Sequence, residues 1–270
     1  MSEPFFLPAP GGPRYCLFHP PAGGTPRGAV LYLHPFAEEM NKSRRMAARQ
    51  SRQLAAAGFA VLQVDLLGCG DSAGDFGDAT WPAWQDDVLA AAQWLRSRTD
   101  APLWLWGLRL GCLLAVQAAP ALGGSVNFLF WQPVASGKQY LQQFLRLKLA
   151  GDLIAGDGGA GEASPQQQLA AGQAVEIAGY RLAPALADPL ARAELEPPAG
   201  AGRLVWLETS GRPDPQLSPA AGKWLERWRQ ADFQVASAAI GGPAFWQTTE
   251  IEESPALLAA TLAALAEAAP

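Results

Sequence analysis

The chain alternates short apolar runs with longer amphipathic stretches. Ala29–Leu33 (AVLYL) is apolar at every position and stops at His34-Pro35, the pattern of a strand buried on both faces. Phe59–Val64, Leu103–Trp106 and Val126–Trp131 are the next strands, and Phe5–Leu7 and Tyr15–His19 read as short edge strands separated by Gly-Gly-Pro. Between them lie helices. Lys42–Ala57 carries charge on one side and Ala, Leu and Met on the other, then stops at Gly58. Trp81–Arg98 has Thr80 as N-cap and Pro82 in its first turn, and Leu110–Ala119 follows. From 136 to 200 the rhythm lapses: a helical start (YLQQFLRLKLAGDLI) runs into Gly156–Gly161, then a Gln- and Ala-rich stretch ending at Pro197-Pro198. It resumes with strand Leu204–Leu207, helix Ala220–Gln230, strand Phe233–Ala239 and helix Ser254–Ala268. This predicts an α/β protein with an open, mostly parallel sheet and helices on both faces. Its core is 1–135 and 200–270, and 136–199 is a cap or lid insertion. Glycines add no side chains to packing, so the cheapest local opening is expected between Asp152 and Gln168.

Composition narrows the classes. At 270 residues, 49% hydrophobic and 17% charged, the chain buries a sizeable core and is not disordered. A net charge of −5 speaks against nucleic acid, which needs a basic face. Cys16, Cys69 and Cys112, odd in number and scattered, suggest a reducing compartment, and the start has neither the basic nor the apolar region of a signal peptide. With no apolar run long enough for a membrane span, the expectation is a cytoplasmic protein. No metal-binding spacing and no cofactor motif occurs. Both histidines, His19 and His34, lie in the first eighth of the chain, so no mechanism can draw on a later one.

Three segments carry chemistry, each just after an expected strand. In Gly107-Leu108-Arg109-Leu110-Gly111 the glycines permit a sharp turn from strand into helix, presenting residue 109 over a helix N-terminus. Asp65-Leu66-Leu67-Gly68-Cys69-Gly70-Asp71-Ser72 is similar to a D-x-x-G-x-G-x-S loop, and His34-Pro35-Phe36 stands where an oxyanion turn would follow the third strand. Together, in this order, they resemble the α/β-hydrolase fold, whose members place a nucleophile at the centre of G-x-S-x-G. The stretches HPFAEEMNKSRRMAARQ and DLLGCGDS, with the arginine elbow, look closest to the bacterial hydrolase-like proteins called exosortase A system-associated hydrolase, type 2. That resemblance implies a setting of exopolysaccharide production and surface-protein sorting, and no particular substrate.

The departures from that pattern are chemical. Arg109 stands at the nucleophile position, and guanidinium is no nucleophile. Ala244, in Gly241-Gly242-Pro243-Ala244-Phe245-Trp246, stands where the resemblance places the histidine; Asp214, in Gly211-Arg212-Pro213-Asp214, fits the acid. One member of three remains, and it is the one that orients. An arginine side chain reaches roughly 6–7 Å. Arg109 is therefore expected either to cross the vacated histidine position and pair with Asp214, or to face the pocket and bind an anion with the helix N-terminus.

Other residues carry two readings each. His34 is a structural histidine or, with Glu38, Asp71 or a cysteine, a displaced catalytic group. Glu38 and Glu39 face the cleft or favour a helix N-terminus. Asp65 and Asp71 cap the glycine loop. Cys69 and Cys112 are small buried residues or reactive thiols. Trp104 and Trp106 share a strand face, with Trp94 expected beneath them. Trp131, Trp246 and Phe36, beside Leu110, pack in the core or form an aromatic wall for an acyl chain or sugar. Three functions follow: a pseudoenzyme binding a small ligand or a partner, a hydrolase with a displaced site, or a scaffold with a vestigial pocket.

Overall fold

The computed structural model describes residues 1–155 and 163–267. The glycine run Gly156–Gly161, the centre of the segment expected to open most easily, lies outside the described residues. The strands are β1 (Glu3–Leu7), β2 (Arg14–His19), β3 (Gly28–Leu33), β4 (Phe59–Val64), β5 (Leu103–Leu108), β6 (Asn127–Trp131), β7 (Val175–Ile177), β8 (Tyr180–Leu182), β9 (Gly202–Ser210) and β10 (Phe233–Gly241). The helices are α1 (Glu38–Ala56), α2 (Trp81–Arg96), α3 (Leu110–Leu122), α4 (Gly137–Ala155), α5 (Pro165–Ala170), α6 (Pro184–Arg192), α7 (Ala221–Gln230) and α8 (Pro255–Glu267). Eight strands form one sheet in the order β1-β2-β4-β3-β5-β6-β9-β10. The pairs β1–β2 and β2–β4 are antiparallel and the rest are parallel.

Period-two alternation divides the core between the sheet's two faces. Leu103 and Leu105 of β5 point to one face, with Leu31, Phe128, Phe130 and Trp206, against α2, α3 and Trp228 of α7. Trp104 and Trp106 point to the other, with Tyr32, Leu129, Trp131 and Leu207, against Met46 and Leu54 of α1 and Leu257 of α8. Trp94 is not beneath them. It stacks on Phe5 at 4.4 Å and meets Phe18 edge-on at 5.1 Å, closing the opposite face under the β1–β2 hairpin. The buried Arg14–Asp87 pair ties β2 to α2, with Nε to Oδ1 at 2.7 Å. Asp87 also accepts the Leu67 N–H at 2.8 Å, and Arg14 donates to the Gly12 and Pro10 carbonyls. A buried charge pair is tolerated when its remaining donors and acceptors are used in this way.

Register brings the ends of the parallel strands into line. Leu33 sits opposite Gly107, Leu108 opposite Trp131, and Trp131 opposite Leu207. The segments after β3, β5, β6 and β9 therefore leave the sheet along one edge, which is where α/β folds build sites. The glycines at the β5–α3 turn are required by contact. A Cβ on Gly107 would lie 2.5 Å from the Cys112 nitrogen, and one on Gly111 would lie 2.2 Å from the Leu33 carbonyl oxygen. Between β6 and β9 the chain builds α4, α5, the β7–β8 hairpin and α6. The apolar pattern of that stretch marks its helical start but not the three-residue strands, which are too short to show a period.

Two glycine substitutions separate contact from propensity. Gly111→Ala forces Cβ onto the β3 backbone and is expected to cost about 1–3 kcal/mol or more, as overpacking does. Gly222→Ala, at an exposed position of α7 with open space around it, is expected to stabilise by about 0.5–1 kcal/mol through helix propensity. Urea unfolding of both variants checks this. Equal effects would contradict the contact argument.

Candidate functional site

β5 ends at Leu108, and the chain enters α3 through Arg109 at φ 55° and ψ −117°. A non-glycine residue there stores strain and persists only when its surroundings hold it. Arg109 N–H donates to the Trp131 carbonyl at 3.0 Å, and the Arg109 carbonyl accepts from Cys112 N–H at 3.1 Å and Val134 N–H at 3.4 Å. α1 begins in the same way, from Ala37 at φ 51° and ψ −128°. Two helix N-termini thus adjoin one set of side chains, and both contribute partial positive charge.

Arg109 does not pair with Asp214. Its Nε donates to Glu39 Oε1 at 3.4 Å, and Tyr140 OH donates to Glu39 Oε2 at 2.9 Å. The guanidinium lies over the Tyr140 ring at 5.6 Å and the Trp246 ring at 5.4 Å, within cation–π range. Arg109 keeps 18% side-chain exposure and Glu39 13%. Burial pushes the Glu39 carboxyl up from its ordinary range, and Arg109 and the Tyr140 hydrogen bond oppose that rise. Burial and the neighbouring carboxylate push the Tyr140 phenol up.

The correction has a local cause. α1 starts at Glu38 rather than Lys42, so Glu39 sits in its first turn, on the elbow. Asp214 stands on an exposed turn after β9 and accepts from Gln216 Nε2 at 3.2 Å. Among the described residues it forms no ion pair. The carboxylate that β9 does bury is Glu208, which accepts from Trp206 Nε1 and from Ser218 N–H and Oγ and so fastens the loop after the strand. At the histidine position, Ala244 is half-buried, and two residues later Trp246 brings an indole against Arg109.

His34 is fully engaged. Its Nε2 accepts the Leu66 N–H at 3.3 Å, which leaves Nδ1 protonated and donating to the Pro35 carbonyl at 2.8 Å. Burial pushes its pKa below the ordinary value. The ring ties the turn after β3 to the glycine loop and has no free nitrogen to act as a base. In that loop Asp65 accepts from the Asp71 N–H and from Arg44, while Asp71 itself is exposed. Glu38 is half-buried beside Glu39. The thiols are buried, and burial raises the pKa of each, Cys16 to about 12 and Cys69 and Cys112 also upward; none is poised as a thiolate.

The aromatic residues divide differently from the expected wall. Trp131 is core: it packs on Trp106 and Phe245 and donates to Thr261 Oγ1 at 2.9 Å. Phe36 is buried among Phe76, Trp84, Tyr140 and Phe144, fastening α4 to the sheet edge, and Leu110 is buried on α3. Trp246 alone of the three touches Arg109. Tyr140 is the site residue that sequence reasoning missed. It lies in the stretch where the pattern lapses, and only the helical run after Gly137 marked its surroundings.

Among the described residues no helix is long and apolar enough to cross a membrane, and no group of three or more His, Cys, Asp or Glu is placed to hold a metal ion. The family profile of the X-Pro dipeptidyl-peptidase (S15 family) matches residues 16–138. Human Protein ABHD12B is 35% identical over 94 residues, 34% of this chain and only about a quarter (25%) of that protein's length. In structure the chain is similar to an α/β serine hydrolase without lid from Xanthomonas campestris, at TM-score 0.58 and 19% identity over 100% of this chain and 95% of that one. It is also similar to Est1E from Butyrivibrio proteoclasticus, solved with ferulic acid (TM-score 0.66, 14% identity, 97% and 98% of the two chains). A thermostable carboxyl esterase from Bacillus coagulans matches at TM-score 0.65 and 13% identity, over 98% of each chain.

The structural role of His34 predicts a pH signature. A histidine whose folded pKa lies below its unfolded value stabilises the fold while neutral. That contribution is present above about pH 6.5 and is lost as pH falls below it, because the unfolded chain takes the proton first. Glu39 and Asp87, raised by burial, act in the opposite sense, so the difference from a variant isolates the histidine. His34→Gln should be less stable than wild type at pH 7.5, with the gap narrowing by pH 5.5 in thermal melts. A gap that widens on acidification would show that His34 is charged in the folded state.

Proposed function

We propose that this chain, which has the α/β-hydrolase fold, binds a small anionic ligand at the Arg109 elbow and does not hydrolyse esters there. One observation carries the reading. Where the fold presents a nucleophile, this chain presents a guanidinium that uses one of its five N–H donors on Glu39. Its other donors have no recorded partner among the described residues, and two aromatic rings flank it. Two helix N-termini add to the attraction for an anion. No histidine base stands ready, since both His34 nitrogens are engaged and His19 is buried against Gln63 on β4. A hydrolase with a displaced site would need one of those groups released. The sequence resemblance supports a bacterial exopolysaccharide and exosortase setting for such a binding protein, where an acyl or sugar acid is a fitting ligand class. Ferulic acid in a fold neighbour makes aromatic carboxylates sensible first probes.

The test is titration with acetate, benzoate and inorganic phosphate by calorimetry, beside an assay of p-nitrophenyl acetate hydrolysis. At least one anion is expected to bind wild type and to bind Arg109→Met about 10- to 100-fold more weakly, the loss of a charge-assisted hydrogen bond of about 1.5–3 kcal/mol. Arg109→Ser should show no ester turnover above background, because no histidine stands beside the new hydroxyl and the shorter side chain no longer reaches Glu39. Wild-type hydrolysis that disappears in His34→Gln would replace this reading with the displaced-site hydrolase. Absence of anion binding would leave the elbow a vestigial pocket.

A further inference from the structure

We infer that a carboxylate ligand enters this site by exchange: it takes Glu39's place on the Arg109 guanidinium, and Glu39 takes up one proton from solvent while keeping its hydrogen bond to Tyr140. The inference rests on the anion-binding reading above and adds the ligand's class and its coupling to pH.

The geometry favours exchange over simple addition. The Arg109–Glu39 contact is a single bond through Nε at 3.4 Å, long for a charge-assisted bond, and a ligand that bonds twice across the Nε–Nη fork must displace it. A carboxylate is the group that fork matches, with two parallel N–H···O bonds. Glu39 already shows that a carboxylate fits beside the guanidinium, within reach of the Tyr140 hydroxyl. Arg109 is the one cation recorded around Glu39 among the described residues, so the cluster balances a single negative charge. This favours a monocarboxylate over a doubly charged phosphate.

Once the ligand takes that charge, Glu39 cannot stay ionised. The groups facing it are Arg109 from the elbow, Tyr140 from α4, and Glu38 beside it on α1. With Arg109 committed to the ligand, a mostly buried carboxylate would face a phenol and another carboxylate, and such a group takes a proton. The balance is simple. Ligand carboxylate and one solvent proton enter, the Arg109–Glu39 bond breaks, a bidentate Arg109–ligand pair forms, and neutral Glu39 still accepts from Tyr140 OH.

Benzoate, ionised throughout the range used, is the probe. Calorimetry at pH 7 in two buffers of different ionisation enthalpy should show about one proton taken up per benzoate bound. The dissociation constant should fall as pH is lowered from 8 to 6, by up to about tenfold per unit, the limit that linkage of one proton sets. Glu39→Gln, which keeps an acceptor for Tyr140, should bind benzoate more tightly, with no proton uptake and no pH dependence. Binding to wild type without proton uptake, or an unchanged pH dependence in Glu39→Gln, would overturn the exchange and leave the anion site standing. Failure of benzoate to bind either protein would overturn the exchange, and failure of acetate and phosphate with it would overturn the site as well.

Discussion

The close approach of α3 to the sheet is the constraint on which the rest depends. With Gly111 against the Leu33 carbonyl and Gly107 against the first turn of α3, the chain must turn from β5 into the helix within one residue. That residue must take a positive φ, and it is Arg109. Its backbone is held by Trp131 at the end of β6, by Cys112 in the first turn of α3 and by Val134. Its side chain is delivered to the C-terminal edge of the sheet whatever its chemistry. The fold supplies a position, and the residue supplies the function.

An arginine there needs compensation. The guanidinium sits over a helix N-terminus, where the dipole disfavours a cation, and it is mostly buried. Glu39 answers both problems. It stands in the first turn of α1, where a carboxylate is favoured, and it neutralises Arg109. Tyr140 and Trp246 set their rings 5.6 and 5.4 Å from the guanidinium carbon, a cation–π contact suited to a group less strongly hydrated than an ammonium. A lysine at 109 would keep the charge but lose the fork.

The alternation of strands and helices and the position of the elbow were legible because they depend on local patterns: apolar runs, glycines at fixed offsets, and a proline or cap at helix starts. Arg109's partner was not. Pairing it with Asp214 followed from a family pattern in which a histidine spans the gap. In this chain the gap is filled by Trp246, and Asp214 has moved out into solvent. The true partner, Glu39, was visible as a residue facing the cleft or a helix N-terminus. What sequence could not show was that α1 begins four residues before its amphipathic pattern does, at an alanine with positive φ. Trp131 illustrates the same limit. Its place after a strand suits a pocket wall as well as core, and only its bond to Thr261 on α8 decides between them.

The site also bears on the stretch between β6 and β9. α4 is fastened to the sheet edge by Phe144 and Tyr140 packing edge-on against Phe36, at 5.0 and 6.0 Å. One polar fastening is the Tyr140–Glu39 hydrogen bond, so the residue that neutralises Arg109 is also an attachment point for this helix. An interaction that removed Glu39 altogether would loosen both. Exchange at Arg109 that leaves Glu39 on Tyr140 loosens only one. This is why the proton matters: it lets Glu39 give up its charge partner while keeping its hydrogen bond, so the site can change occupant without undoing the packing of α4 above it.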